Sequence, residues 1–413
     1  MIRTIQASDE RAVAALIDRA SKRDPSFERR VARIVGDVRR RGDAALRSYA
    51  TRFDKLSGAI EVTREEMARG AAAVPTDVRR AIAAAARHIR HVARRQVPRG
   101  WTTTPVAGVT IQQRVAPLDR VGCYVPGGRY PLPSSLLMTA IPASVAGVRE
   151  IVAVCPKPEG SVMAAALEAG VTQLLRVGGA HAIAALAYGT ASIPRVDKIV
   201  GPGNAYVAAA KALVAADCAI DFFAGPSEIL IVSAGGRPAW IAADLLAQAE
   251  HDEDARAIFV TPDTRLARAV AEQVAAQMPV AGPARAAIAR NGAIVVTRSL
   301  EEAIALSERM APEHVVCDSA AVAARLTRAG TVFVGAQSAQ ASGDYLTGSN
   351  HVLPTSGAAR QRGGLSAADF VRITTVQTLS RSGLKHVAPH AIALAEAEGL
   401  NAHAASIRIR GVH

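Results

Sequence analysis

The sequence predicts an α/β protein with two Rossmann-like units built on parallel sheets and a helical layer at the N-terminus. Three observations carry this. Nine short apolar runs punctuate residues 120 to 335: "VGCYVP", "EIVAVCP", "QLLRVGG", "DKIVGPG", "EILIVS", "AIFVTP", "AIVVT", "HVVCD" and "TVFVG". Each is followed by an Ala-rich window or a Gly-rich turn, and runs apolar at successive positions belong to strands covered on both faces, as in βαβ architecture. There are more such runs than one modest sheet requires, so two units are expected. The first hundred residues, in contrast, are Ala- and Arg-rich with helical periodicity and few strand signals.

Taken in order, "VARIVGDVRRRGDAALRSYATR" and "AARHIRHVARRQVPRG" have an apolar stripe and a charged outer face, so they read as helices of a packing layer. The nine runs follow. From about residue 336 the chain turns polar and Gly-rich, then helical, and ends on the strand-like "SIRIR". A chain of 413 residues, 50% hydrophobic, can bury a sizeable core. No apolar stretch approaches the roughly 20 residues a membrane span needs, and "MIRTIQASDE" lacks the apolar core of a secretory signal. A soluble cytoplasmic protein with no membrane partner is expected. Cys123, Cys155, Cys218 and Cys317 are far apart in apolar company, which predicts buried reduced thiols. The formal charge of +13 raises nucleic acid as a partner, but the excess sits on solvated helix faces. With 4% aromatic residues there are few stacking platforms, so no nucleic-acid partner is expected.

In doubly wound folds ligands gather where strands end, so the polar residues after the apolar runs are the first candidates. "VGPGNAYVAAAK" has Gly201 and Gly203 for a tight turn and Asn204 at a helix start, suited to an anion or a ribose. "VGGAHAIAAL" repeats the design with Gly178, Gly179 and His181, and "CYVPGGRYPLPSS" adds Tyr124, the pair Gly127 and Gly128, Ser134 and Ser135. None is a GxGxxG; plain strand-to-helix turns explain the first two more simply, and a rigid proline turn the third. "PAWIAADLLAQAEH" is helical in period, placing Gln248 and His251 one turn apart in the last helical turn. Together they fit a metal ion; His251 alone fits a helix-end histidine stabilised by the dipole. "MAPEHVVCD" puts Glu313 and His314, an acid/base pair, at the start of a strand. "SGDYLTGSNHVLPT" holds Asp344 and His351, and "AEGLNAHAASIRIR" holds Glu398 and His403.

The ordered set "VGPGNAYV", "AGPSEILIV", "QAEHD", "APEH", "SGDYLTGSNHVLPT" and "EGLNAH" resembles the histidinol dehydrogenase family across nearly the whole chain. The resemblance implies one Zn²⁺ per subunit on Gln248, His251, Asp344 and His403, and Glu313 and His314 as the catalytic pair. It implies substrate contacts at Ser227, Gln248, His251, His314, Asp344, His351, Glu398 and His403, and NAD contacts at Tyr124, His181 and Asn204. It further implies a homodimer in which a C-terminal tail is exchanged, so that Glu398 and His403 complete the partner's site. The implied division is an N-terminal helical segment (1–22), a first α/β domain from 23–123 with 227–372, a second on the dinucleotide side (124–226), and the tail (373–413). The implied reaction is NAD-linked oxidation of L-histidinol through L-histidinal to L-histidine, the last steps of histidine biosynthesis.

Three positions depart from the family pattern. His181 stands where Gln is common, Gln340 where many members have an acid, and Gln361 where an aromatic is usual. They keep open an alternative, a paralogous zinc- and NAD-dependent alcohol dehydrogenase acting on another polar alcohol such as a dihydroxypropanesulfonate.

Overall fold

All nine apolar runs are strands in the computed structural model, which describes residues 2–17, 24–127, 130–222 and 225–410. They divide between two six-stranded sheets. The first runs Arg3–Gln6, Ala293–Val296, Arg256–Thr261, Glu228–Val232, His314–Cys317, Thr331–Val334, with every pair parallel. The second runs Glu61–Val62, Gln173–Leu175, Glu150–Val154, Arg120–Tyr124, Lys198–Val200, Ala219–Ile220, and is parallel except at its Glu61–Val62 edge.

Helices cover both faces of each sheet, which is why the strands are apolar at every position rather than at alternate ones. In the first sheet Ile229, Ile231, Phe259 and Ile294 pack with helices Pro238–Ala249 and Thr264–Ala276. The intervening Leu230, Val232, Ile258 and Val260 pack with Glu10–Ile17 and Leu300–Met310. The second sheet is covered by Thr76–Gln96, Pro133–Ala146 and Gly160–Ala169 on one face, and by Pro25–Arg41, Gly179–Tyr188 and Ala205–Val214 on the other. The four cysteines are free and buried. Among the described residues no helix is long and apolar enough to cross a membrane.

The tertiary structure differs from the sequence expectations in four places. Residues 2–17 are not only helical: Arg3–Gln6 is the edge strand of the first sheet, four residues with Ile5 alone turned inward, too short to register as an apolar run. No strand among the described residues 24–123 joins the first sheet, although this stretch shares a core with Val352, Leu365 and Phe370. The helices Pro25–Arg41, Arg64–Ala72 and Thr76–Gln96 lie on the second sheet, and Arg120–Tyr124 is one of its central strands. An amphipathic stripe states that a helix is covered, not which sheet covers it. A three-stranded antiparallel sheet, Trp101–Val106, Val109–Pro117 and Val371–Leu379, was not anticipated, because its strands are rich in Thr, Gln and Arg and largely exposed. Finally, "SIRIR" is not a strand. The helix Asn401–Arg408 takes in its first three residues and buries Ala404, the better helix formers before it extending their conformation into a short alternation. Gly128, one of the candidate turn glycines, lies outside the described residues.

Candidate active site

The strand order of the first sheet reverses between Glu228–Val232 and His314–Cys317, where Ile229 is in register with His314. Candidate residues meet there at the amino ends of the strands, not at the carboxyl ends where the general rule sends a search. Ser227 and Glu313 each immediately precede a strand. Helix Pro238–Ala249 connects the strands Glu228–Val232 and Arg256–Thr261, so its C-terminus returns to the amino edge, bringing Gln248 and His251 with it. Ile241, Leu245 and Gln248 share the buried face of that helix, and Gln248 is fully buried, an amide on an otherwise apolar stripe.

Gln248 Nε2 donates to Ser227 Oγ at 2.8 Å, and Ser227 Oγ donates to Glu313 Oε2 at 2.7 Å. The backbone N–H of Glu228 donates to the same Glu313 oxygen, also at 2.7 Å. Burial pushes the Glu313 carboxyl up to about 8 against those hydrogen bonds. A carboxylate of that pKa is a far stronger base than a solvated one.

Three imidazoles are oriented in the same way. His251 Nδ1 lies 3.2 Å from the Gln248 carbonyl, His314 Nδ1 3.1 Å from the Glu228 carbonyl, and His351 Nδ1 2.8 Å from the Asp344 carbonyl. A carbonyl only accepts, so each Nδ1 donates to it, and where the ring is neutral the lone pair lies on Nε2. Burial lowers the pKa of both His314 and His351, favouring the neutral ring. His251 sits two residues past the helix end, not within its last turn. Its Nδ1 thus serves the helix terminus, and no hydrogen bond engages Nε2 among the described residues.

Asp344, in the short helix Gln340–Tyr345, stands among these rings. His251 Nε2 is 3.9 Å from its Oδ2, and His314 Nε2 and His351 Nδ1 are each 3.9 Å from its Oδ1. These separations are too long for direct hydrogen bonds. Gly343 is required there, because a Cβ would lie 2.6 Å from the Phe333 ring. Among the described residues four buried side-chain polar atoms lack a partner, and three are Gln248 Oε1, His314 Nε2 and Gln340 Oε1. Buried polar atoms are rarely left unpaired, and two of these residues, His314 and Gln340, adjoin Asp344. Gln248 Oε1, His251 Nε2 and the Asp344 carboxylate are a mixed N/O donor set of the kind zinc accepts. Glu398 and His403 are exposed, on the C-terminal helices, and no hydrogen bond or ion pair joins them to this cluster among the described residues. Among the described residues no group of three or more His, Cys, Asp or Glu side chains is placed to hold a metal ion.

The second candidate region lies at the carboxyl ends of the other sheet, where its strand order reverses between Arg120–Tyr124 and Lys198–Val200. Gly201 has φ +114°, and a Cβ on it would lie 2.2 Å from the Tyr124 carbonyl oxygen. Buried Lys211 braces this turn, donating to the Gly201 carbonyl at 3.1 Å and pairing with Asp221, whose Oδ2 accepts from Gly201 N at 2.8 Å. Asn204 caps helix Ala205–Val214, its Oδ1 accepting from Tyr206 N and Val207 N. Tyr124 accepts from Gly179 N at 3.1 Å, and burial pushes its phenol up to about 12. His181 is buried, Nε2 2.8 Å from Asp54 Oδ2, which also accepts from Gly178 N at 2.9 Å. Reading the sequence missed Asp54, Glu228 and the Lys211–Asp221 pair. Only Lys211 left a signal, a lone cation inside the apolar helix "AYVAAAKALV".

A family model described as histidinol dehydrogenase matches residues 17–411. The chain belongs to the histidinol dehydrogenase family. Its histidinol dehydrogenase relatives include that of Syntrophotalea carbinolica, 47% identical over 413 residues, covering 97% of this chain and 96% of the relative. The histidinol dehydrogenase of Cereibacter sphaeroides is also 47% identical, covering 96% and 94%. The crystal structure of histidinol dehydrogenase from Elizabethkingia anophelis superposes with a TM-score of 0.93 at 33% identity, covering 99% of this chain and 98% of that one. As a histidinol dehydrogenase family member the chain is an enzyme, an oxidoreductase of histidine biosynthesis.

Proposed function

We propose that this enzyme oxidises L-histidinol through L-histidinal to L-histidine in the cytoplasm, using two NAD⁺ per substrate and one zinc ion per subunit. The observation that carries the reading is the set of unpartnered atoms at the amino edge of the first sheet. Gln248 Oε1 and His314 Nε2 are buried without a partner, and His251 Nε2 and His314 Nε2 each stand 3.9 Å from the Asp344 carboxylate. When bound, zinc would polarise the alcohol and NAD⁺ would take the hydride.

The chain's own residues supply the rest. His314 Nε2, neutral and unprotonated, takes the hydroxyl proton as the alcohol is oxidised. Glu313 draws a proton from water attacking the aldehyde, and its hydrogen bonds from Ser227 and Glu228 N fix the carboxyl plane for that task. Ser227, His351 and the metal-binding side chains hold the substrate, and Tyr124, His181 and Asn204 line the NAD side. Zinc's fourth ligand would be His403 and the remaining substrate contact Glu398, both supplied by the tail of a second subunit in a homodimer. The tail helices expose Leu394 at 65%, Leu400 at 43% and Ile409 at 84%, an apolar surface suited to cover by another copy.

The test is NADH formation by the purified protein with L-histidinol. Two equivalents per substrate, abolished by chelation and restored by zinc, support the reading. NADH from a dihydroxypropanesulfonate and none from histidinol would overturn it.

A further inference from the structure

Gln340 is fully buried in the helix Gln340–Tyr345, one turn before Asp344. Its Nε2 donates to Asp344 Oδ2 at 3.0 Å, while its Oε1 is buried with no partner. The orientation of the amide follows from its neighbour. A carboxylate oxygen only accepts, so the NH₂ must face Asp344 and the carbonyl oxygen must turn away. Among the described residues this is the side-chain hydrogen bond that Asp344 receives, since the three imidazoles around it stand 3.9 Å off.

An acid at hydrogen-bond distance from Asp344 places two carboxyl groups together; the amide instead gives a neutral, permanent donor. It draws on one oxygen of Asp344 and fixes the plane of its carboxylate, while its own Oε1 remains to accept from a group bound at the centre.

We propose that Gln340 is a positioning residue of the metal centre, holding Asp344 in its ligating orientation through Nε2 and offering Oε1 as an acceptor to the bound ligand. This rests on the metal-site reading above. Partners that orient a metal ligand without touching the metal commonly contribute 10- to 100-fold in affinity.

The experiment measures zinc affinity of the full-length, metal-stripped protein by competition with a chromogenic chelator, and records the visible spectrum of the cobalt-substituted form. If wild type binds no zinc, or His251→Ala binds as tightly as wild type, the metal-site reading itself fails. If those controls hold, Gln340→Met, of similar length without donor or acceptor, is expected to bind zinc roughly 10- to 100-fold more weakly and to alter the cobalt spectrum. Wild-type affinity with an unchanged spectrum would overturn the proposal, whatever happens to thermal stability. Should Gln340→Met fail to unfold cooperatively, Gln340→Glu replaces it. That variant adds a carboxyl beside Asp344, so a shift in both affinity and spectrum is expected, and no change in either overturns the assignment.

Discussion

His314 turns Nδ1 to the backbone carbonyl of Glu228, 3.1 Å away, and leaves Nε2 buried without a partner. The two residues lie on neighbouring parallel strands, so the sheet itself selects the tautomer and aims the base. Replacing His314 with Gln removes that base while keeping a polar side chain. The turnover number with L-histidinol is expected to fall by about 10²- to 10⁴-fold with zinc content retained. Loss of zinc in parallel with activity would instead make His314 a ligand.

Glu313→Gln separates the two oxidations. The amide fills the same space but has no basic oxygen, so the first NADH equivalent should form while the aldehyde step slows about 10²-fold or more. A rapid-mixing experiment should then show a burst of one equivalent per site. Equal slowing of both steps counts against a role confined to the aldehyde.

The same side chain ties stability to pH. Burial raises Glu313 from 4.5 to about 8 in the folded chain. Between those values the unfolded chain has lost its proton and the folded chain has not, so folding binds a proton and stability falls as pH rises. In the metal-free protein the limiting slope is about 1.4 kcal/mol per pH unit for one group, and Glu313→Gln should remove that contribution. Urea unfolding at pH 5, 6, 7 and 8 checks it. Parallel pH profiles for wild type and variant would show that Glu313 titrates normally.

His251→Ala removes the free Nε2 beside Asp344 but leaves the helix Pro238–Ala249 intact, since His251 lies beyond its end and is partly exposed. Zinc content after dialysis is expected to fall to a small fraction of wild type, with the unfolding midpoint of the metal-free protein nearly unchanged. Full zinc occupancy in the variant would remove His251 from the ligand set.

Gly201→Ala places a methyl group 2.2 Å from the Tyr124 carbonyl oxygen at a φ of +114°. Backbone meets backbone there, so relief requires the turn to move. A loss of about 2 kcal/mol or more is expected in urea unfolding, together with weaker NAD binding. Gly363→Ala, with nothing within 4 Å of the added carbon, is the control and should stay within about 0.5 kcal/mol of wild type.

The chain's local chemistry was enough to mark every long parallel strand, because strands buried on both faces must be apolar throughout and "EILIVS" or "AIFVTP" has no other use. Motif order was equally sufficient for the family, since "QAEHD", "APEH" and "SGDYLTGSNHVLPT" are individually ambiguous but jointly specific. Tertiary structure alone decided which sheet each helix covers, and so placed the helices Pro25–Arg41, Arg64–Ala72 and Thr76–Gln96 against the second sheet. It also decided that Ser227, Gln248, His251, Glu313 and Asp344 meet at the amino edge of the first sheet, although 117 residues of chain separate the first from the last in number. The physical reason is the same in both cases. Periodicity and composition record how deeply a residue is covered, whereas the identity of the covering atom depends on strand order and helix return, which arise only when distant segments pack together.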